Sequence, residues 1–271
     1  MIFRSHIMNG RSILGKAVSN DGYNFKVDKK PFLVPADRGI FKEYEAYGVE
    51  DPRIVFIDGE FLITYSAYSS HGVRIGLAKT QDFETVERFS LITESDYRNV
   101  VIFPEKFNGF YARLDRPHSE ISPWSVWISY SPDLKYWGES LRIMRPMQYH
   151  WDEMKIGPGA PPIKTPRGWL HIYHGVFQTM DGCVYRLGAA LHDLHDPSKI
   201  IAVGDDWILQ PEDEYEITGY VHNVVFCCGA VPENDGSVKI YWGGADKVMC
   251  VGTANLETLV DHCLNNPRPP L

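Results

Sequence analysis

Short apolar segments separated by turn-forming residues run along the whole chain, and they form a repeat. Each unit combines an alternating apolar strand, a strand of small residues and an Asp followed by an aromatic or aliphatic residue. Copies begin at Gly15, Gly76, Ile128, Leu187 and, more loosely, Val251. Repeats of roughly 50 to 60 residues are typical of β-propeller blades. The pattern therefore predicts five blades.

A further strand precedes each copy and is rich in β-branched and aromatic residues, as in FLITYSAYS and WLHIYHGV. In four places the turn sequences IDGE, FNGF, TPRGW and ENDGS join this strand to another one upstream, which predicts hairpins. No segment shows a sustained 3.6-residue apolar period with helix caps. We therefore expect an all-β fold, with residues 1–271 forming a single five-bladed β-propeller domain.

The chain starts inside the first repeat, so we expect the first blade to be incomplete at the N-terminus. The C-terminal segment NNPRPPL is one candidate for the missing strand. Its prolines cannot donate hydrogen bonds to a β-ladder, which makes it poor strand material. The alternative is a blade that stays incomplete because the chain begins late in the repeat.

Composition narrows the class of protein. With 44% hydrophobic and 13% aromatic residues, the chain has enough apolar material for a folded core. The net charge of -8 and the lack of a basic run disfavour a nucleic-acid partner. No apolar stretch reaches the length of a membrane span and the N-terminus lacks a signal-peptide core, so we expect a cytoplasmic protein with no membrane partner. Five cysteines without zinc-site spacing predict reduced core residues and no metal site.

Polar residues at the ends of repeated strands are the first candidates for chemistry. Propellers place functional side chains where their inner strands meet the central channel. Glu50-Asp51-Pro52-Arg53 opens one such strand, and the proline restricts the chain directly after the acid. The alternative interpretation of Asp51 is an ordinary turn aspartate.

A second group of candidates has the chemistry to bind an anion. It comprises Arg98, Arg116, Lys155, His174 and Tyr185, all near strand ends. Arg offers a bidentate fork and Lys a point charge, and with His and Tyr they form a donor set for an oxyanion. A lone Arg is usually a surface residue and a lone strand His is usually a core residue, so their common position is what favours a binding site.

These segments resemble glycoside hydrolase family 130, the mannoside phosphorylases and related mannosidases, which adopt a five-bladed propeller fold. The resemblance covers almost the whole chain, through GVEDPRIVFIDGEFLITY, YRNVVIFPEKFNGFYARLDRP, KIGPGAPPIKTPRGWLHIYHGV, the region of Tyr185, ALHDLHDPSKI, YEITGYVHNVVF and IYWGGAD. It implies that Asp51 is the catalytic acid and that the five-residue donor set binds phosphate. It also implies that Asp246 contacts mannose, for which a turn aspartate is the alternative, and that Arg4 and Arg11 lie near the sugar site.

The resemblance and the donor set together predict phosphorolysis. Phosphate is already anionic and nucleophilic, so the enzyme needs one acid and a cradle for the anion instead of a second carboxylate. Asp51 would supply the proton, either directly to the glycosidic oxygen or through a hydroxyl of the mannose ring, as the resemblance implies. A β-mannoside would then give α-mannose 1-phosphate with inversion, with inorganic phosphate as co-substrate and no cofactor.

Two alternatives stay open. A β-mannosidase of the same fold would use water and need a second carboxylate as base, although the basic donor set argues against it. A non-catalytic sugar-binding propeller would leave the mannoside uncut. The sequence also leaves open the linkage and acceptor, whether β-1,4- or β-1,2-linked manno-oligosaccharides or mannosyl-glucose, and whether the chain forms a homo-oligomer.

Overall fold

Strands dominate the computed structural model, which describes residues 1–118 and 123–269. The chain divides into two compact units. The first unit contains residues 1–113 and 129–139, and the second contains residues 114–128 and 140–271. Three short helices accompany the strands of the described residues: α1 (Gly39–Tyr44), α2 (Glu214–Ile217) and α3 (Leu256–Asn265). The prediction of an all-β fold is confirmed.

The first unit is built on a sheet in the order β1-β2-β4-β5-β6-β7, with β3 attached to β2. Its strands are β1 (Ile2–His6), β2 (Ser12–Val18), β3 (Lys26–Val27), β4 (Gly48–Ile57), β5 (Glu60–Ser69), β6 (Gly72–Thr80) and β7 (Glu87–Leu91). Neighbouring strands are antiparallel except for β2 and β4, which meet in a parallel bridge from Ser12 to Gly48. The repeats that begin at Gly15 and Gly76 therefore lie in one sheet.

A second sheet has the order β11-β10-β9-β8. Its strands are β8 (Tyr97–Ile102), β9 (Tyr111–Pro117), β10 (Val126–Ser131) and β11 (Gly138–Met144). The chain passes from one unit to the other inside β9, β10 and β11.

Two further sheets belong to the second unit. The third sheet has the order β12-β14-β15-β16, with β13 paired to β14, and the fourth has the order β17-β18-β19. Their strands are β12 (Lys155–Pro158), β13 (Ile163–Thr165), β14 (Gly168–Thr179), β15 (Gly182–His192), β16 (Ile200–Val203), β17 (Val225–Pro232), β18 (Ser237–Gly244) and β19 (Val248–Asn255). The described residues thus form four hydrogen-bonded sheets, and the count of five blades stays a prediction.

Hairpin turns occur where their sequences predicted them. Ile57 pairs with Glu60 across Asp58 and Gly59, whose φ angles are 53° and 81°. Positive φ at both central positions characterises the type I′ turn, which Asp-Gly favours. The other three turns also close antiparallel pairs, between Phe107 and Phe110, Thr165 and Gly168, and Pro232 and Val238.

The helix α3 differs from the sequence expectation, which placed no capped helix in the chain. Its N-cap is Asn255, whose side chain accepts a hydrogen bond from the Thr258 backbone N–H at 3.0 Å. Leu259, Val260 and Cys263 are buried against the core of the second unit. At 10 residues, α3 is too short for its apolar spacing to stand out from strand patterns.

The C-terminal segment packs within the second unit. The Arg268 backbone N–H donates to the Val203 carbonyl at 2.9 Å, beside a bridge from Pro267 to Gly204. The Arg268 guanidinium lies 3.3 Å from the carboxylate of Asp152, which is fully buried. This ion pair ties the segment to the turn before β12, because an unpaired buried carboxylate would be costly.

Two buried histidines lie side by side in the third sheet. His171 Nδ1 and His192 Nε2 are 3.2 Å apart, and His192 Nδ1 donates to the Pro197 carbonyl at 2.7 Å. Burial lowers the pKa of His192 to about 4 and the pKa of His171 well below its usual value. Both rings are therefore neutral at physiological pH.

All five cysteines are free thiols, but only Cys227 and Cys263 are buried, so the prediction of core residues holds for these two. Within the described ranges, no helix has the length and apolar character needed to cross a bilayer.

Candidate active site

Asp51 lies at a β-bulge between β4 and β5. The pairing moves from Glu50 opposite Ser66 to Arg53 opposite Thr64, so two residues of β4 face one residue of β5. Asp51 has φ of 50°, in the left-handed region that non-glycine residues rarely adopt. Bulges of this kind redirect a side chain and are frequent beside active sites. The local backbone therefore distinguishes Asp51 from an ordinary strand residue.

The carboxylate of Asp51 is half-buried and contacts a neutral amide. Asn99 Nδ2 donates to Asp51 Oδ2 at 3.3 Å. Arg53 Nη1 donates to the Asp51 backbone carbonyl at 2.7 Å, and Arg53 itself is buried. Arg53 therefore stabilises the bulge from within β4, and the uncharged amide of Asn99 orients one carboxylate oxygen of Asp51.

Arg98, directly before Asn99, is held by a carboxylate. Its Nη2 lies 3.4 Å from Glu50 Oε2, and the Ser12 hydroxyl donates to Glu50 Oε1 at 2.7 Å. The Tyr68 ring lies 5.7 Å from the Arg98 guanidinium. Glu50 therefore balances the charge of Arg98, and Ser12 fixes Glu50.

Strand pairing in the third sheet brings three predicted residues onto one face. Lys155 on β12 pairs with Val176 on β14, and Val176 pairs with Tyr185 on β15. His174 precedes Val176 by two positions, so its side chain points to the same face. Three strands thus place Lys155, His174 and Tyr185 on one surface.

Arg116 joins this group through His174. Arg116 Nη1 and His174 Nε2 are 2.8 Å apart, and both residues are buried. A guanidinium only donates, so Nε2 is the acceptor and the ring proton of His174 lies on Nδ1. This hydrogen bond therefore requires the neutral form of the His174 ring.

Aromatic rings lie beside Lys155 and His174. The Lys155 ammonium lies 5.0 Å from the Trp124 ring and 5.3 Å from the Tyr185 ring. The His174 ring lies 6.2 Å from that of Tyr185 and 4.7 Å from that of Phe226. We call Arg116, Lys155, His174 and Tyr185 the basic cluster.

Gly157 leaves the space in which the basic cluster packs. It pairs with His174 across β12 and β14. A methyl group at this position would lie 2.7 Å from His174 Nε2 and 2.9 Å from Arg116 Nη1. Any side chain here would displace the imidazole or the guanidinium.

The three predicted sugar-binding residues lie at turns or strand edges. Asp246, with φ of 56°, occupies the turn between β18 and β19, next to Ala245 with φ of 46°. Arg4 lies on β1, opposite Leu14 of β2. Arg11 is exposed in the turn between these strands, where its backbone N–H donates to Asn9 Oδ1 at 3.0 Å. The first unit contains Arg4 and Arg11, and the second contains Asp246.

The structure thus gathers four of the predicted residues in the second unit, while Asp51 and Arg98 belong to the first. Sequence reasoning missed four partners of these residues: Glu50, Asn99, Trp124 and Phe226. The first two are chain neighbours of predicted residues, which was an available signal. No local sequence pattern marked Trp124 or Phe226 as partners of the predicted residues.

The described residues contain no candidate metal site. Across residues 1–118 and 123–269, no three His, Cys, Asp or Glu side chains are grouped so as to hold a metal ion. The expectation that no cofactor is needed stays a prediction.

Comparison with known proteins gives consistent matches over most of the chain. The model of glycoside hydrolase family 130, described as beta-1,4-mannooligosaccharide phosphorylase, matches residues 1–265. The chain is 41% identical over 257 residues to a 1,2-β-oligomannan phosphorylase of Thermoanaerobacter sp., covering 93% of this chain and 81% of the relative. It is 35% identical to a β-1,4-mannooligosaccharide phosphorylase of Ruminococcus albus, covering 90% and 74%.

A relative from Listeria innocua matches in both sequence and structure. The chain is 40% identical to its β-1,2-mannobiose phosphorylase over 236 residues, covering 86% of this chain and 63% of the relative. The solved complex of this enzyme type from Listeria innocua with β-1,2-mannobiose matches with a TM-score of 0.88 at 36% identity, covering 94% and 70% of the two chains. The chain therefore belongs to glycoside hydrolase family 130, the family of mannoside phosphorylases.

Proposed function

We propose that this chain catalyses the inverting phosphorolysis of a β-mannoside, with Asp51 as the proton donor. Phosphate is bound by the basic cluster, with Arg98 as a further contact, and mannose is contacted by Asp246, Arg4 and Arg11. The observation that carries the proposal is the basic cluster itself. Arg, Lys, neutral His and Tyr side chains can all donate hydrogen bonds, as an oxyanion requires.

The proposed reaction balances with one proton and one nucleophile. A phosphate oxygen forms a bond to the anomeric carbon on the face opposite the leaving group. The bond between the anomeric carbon and the glycosidic oxygen breaks, and that oxygen keeps the electron pair. It takes a proton from Asp51, either directly or through a hydroxyl of the mannose ring. The products are α-mannose 1-phosphate and a free reducing-end sugar.

The residues of the basic cluster favour phosphorolysis because they hold an anion in a fixed position. Preorganised donors in a partly dry site stabilise charge without reorganising during the reaction. Arg116 and His174 are buried and mutually hydrogen bonded, which fixes both side chains. Holding the nucleophile in place replaces the base that water would need.

Hydrolysis is the competing activity on this scaffold. The family also contains glycoside hydrolases that target β-1,2 mannosidic linkages in Candida mannan, and a solved structure described in these terms matches this chain with a TM-score of 0.82 at 25% identity. Hydrolysis would need a second carboxylate as base. Glu50 adjoins Asp51, but its two oxygens contact Ser12 and Arg98. This engagement makes Glu50 a poor general base and supports phosphorolysis.

We also propose that residues 1–271 form a five-bladed β-propeller and that the enzyme works in the cytoplasm, using inorganic phosphate. Size-exclusion chromatography with light scattering tests whether the chain is a homo-oligomer, which the sequence leaves open.

Product analysis tests the proposed function. The protein is incubated with β-1,2-mannobiose, β-1,4-mannobiose and 4-O-β-mannosyl-glucose, each with and without phosphate. Phosphorus nuclear magnetic resonance should detect α-mannose 1-phosphate only when phosphate is present, and the panel identifies the linkage. In the reverse direction, α-mannose 1-phosphate and an acceptor sugar should give a mannoside. Release of free mannose at the same rate without phosphate would show hydrolysis and refute the proposal.

A further inference from the structure

Trp124 is attached to the strand that carries Lys155. The two residues form a parallel β-bridge, and the Ile156 backbone N–H donates to the Trp124 carbonyl at 3.0 Å. Ser125 adds a local bond from its hydroxyl to the Pro123 carbonyl at 2.9 Å. The backbone of Trp124 is therefore fixed relative to β12, next to Lys155.

The indole of Trp124 contacts two cations of the basic cluster. Its ring centroid lies 5.0 Å from the Lys155 ammonium and 5.5 Å from the centre of the Arg116 guanidinium. His118 stacks on the indole, with centroids 4.1 Å apart and 11° between the ring planes. Both cations lie within the range of about 6 Å over which a ring face attracts positive charge.

An aromatic ring and a carboxylate hold a cation in different ways. A carboxylate neutralises the charge, whereas a ring quadrupole attracts the cation and leaves its net charge unchanged. Among the residues that the structure describes, Lys155 has no carboxylate within ion-pair distance. Its ammonium is thus oriented by two rings and keeps its charge for an incoming anion.

We propose that Trp124 is a positioning residue of the phosphate site, which holds Lys155 and Arg116 beside each other through its indole face. This inference rests on the proposed function, in which the basic cluster binds phosphate. Trp124 acts through the two cations, so phosphate affinity should depend on the aromatic ring at this position rather than on its volume alone.

Inorganic phosphate is titrated by calorimetry into wild-type protein and into the Trp124→Phe and Trp124→Leu variants. Loss of the ring in Trp124→Leu should weaken phosphate binding by about 10-fold to 30-fold, since a desolvated cation–π contact is worth about 2 kcal/mol. Trp124→Phe keeps a ring face and should retain most of the affinity. The KM for the β-mannoside should stay close to wild type in both variants.

Trp137→Leu is the matched control, because it also removes an indole from a guanidinium, that of Arg113 at 4.5 Å in the first unit. Its phosphate affinity should equal that of wild type. If Trp124→Leu does not fold, Trp124→Met replaces it, because Met also removes the ring. Phosphate affinity in Trp124→Met should fall by the same factor, about 10-fold to 30-fold.

Three outcomes separate the possibilities. Wild-type phosphate affinity in Trp124→Leu overturns the inference and leaves the proposed function standing. An equal loss in the Phe and Leu variants also overturns it, because packing volume and not the ring would then matter. Failure of wild-type protein to bind phosphate at all overturns the proposed function, and the inference with it.

Discussion

Arg98 and Lys155 belong to the same proposed donor set, yet the two units hold them by opposite means. Arg98 is paired with Glu50 at 3.4 Å, and Glu50 is fixed by Ser12. Lys155 lies 5.0 Å and 5.3 Å from the rings of Trp124 and Tyr185. The charge of Arg98 is balanced before any ligand arrives, whereas that of Lys155 is oriented but not neutralised. Phosphate affinity should therefore depend mainly on the second unit, and proton transfer on the first.

The largest effect should come from the acid of the first unit. Asp51→Asn should lower kcat by roughly 10²-fold to 10⁴-fold, since a positioned general acid contributes about that much. Phosphate affinity, measured by calorimetry, should be unchanged because the cations stay in place. Asp58→Asn is a matched control, since Asp58 also has a left-handed φ, 53°, and follows the same strand. Near-wild-type turnover in Asp51→Asn would remove Asp51 from its proposed role.

Removal of the unneutralised cation should have the next largest effect. Lys155→Ala should weaken phosphate binding by about 2–5 kcal/mol, as is typical when one partner of a desolvated charge pair is lost. The KM for phosphate should rise more than the KM for the mannoside. Lys164→Ala is the control, because Lys164 also lies near an indole, that of Trp169 at 5.4 Å, in the same sheet. An equal rise in both KM values would indicate a packing role for Lys155.

Acid should destabilise the second unit before the first. His192, with its pKa lowered to about 4, binds a proton in the unfolded chain near pH 6.5 but not in the folded protein. Stability is therefore full above pH 6.5 and is lost as the pH falls toward 4. From pH 7 to pH 5 the free energy of unfolding should drop by about 2 kcal/mol for this residue. Guanidinium chloride unfolding at several pH values measures the drop.

His171 acts in the same pH range, because burial also lowers its pKa well below the usual value, whereas His150 and Asp82 act outside it. The pKa of His150 is raised, first by its hydrogen bond to Asp152, so its contribution is lost mainly as the pH rises above 6.5. In the first unit, hydrogen bonds lower the pKa of Asp82, whose contribution is lost only in stronger acid. His192→Gln should reduce the pH dependence, and the part that remains should come from His171, whose pKa is also lowered by burial. An unchanged dependence in His192→Gln would assign it to other groups.

The smallest effect should come from Ser12, which acts on Arg98 only through Glu50. Ser12→Ala removes the hydrogen bond at 2.7 Å to Glu50 but leaves both charges, so kcat should fall by about 5-fold, equivalent to about 1 kcal/mol. Phosphate affinity should change little, because Arg98 remains paired. Ser90→Ala, which removes a hydroxyl bonded to the Leu134 carbonyl at 3.3 Å, is the control in the same unit. A large loss of phosphate affinity in Ser12→Ala would contradict the contrast between the two units.

Local features were predictable because they depend on a few consecutive residues. Asp58 and Gly59 form the turn that their sequence favours, since both adopt the positive φ that the turn requires. The all-β class followed from strand alternation in the same way. The candidate acid was visible because Asp51 precedes Pro52 at the start of a strand, although its bulge was not.

Contacts between distant segments could be known only from the tertiary structure. Ser12 reaches Glu50 across 38 residues of sequence, and Arg116 reaches His174 across 58. The placement of Trp124 beside Lys155 depends on a backbone bridge that neither segment specifies alone. The sequence by itself determined the strands, the turns and the chemical types of the candidate residues, because these follow from local backbone preference. The pairing of strands decided which cation contacts a carboxylate and which contacts an aromatic ring, because the packing of distant segments selects the partners.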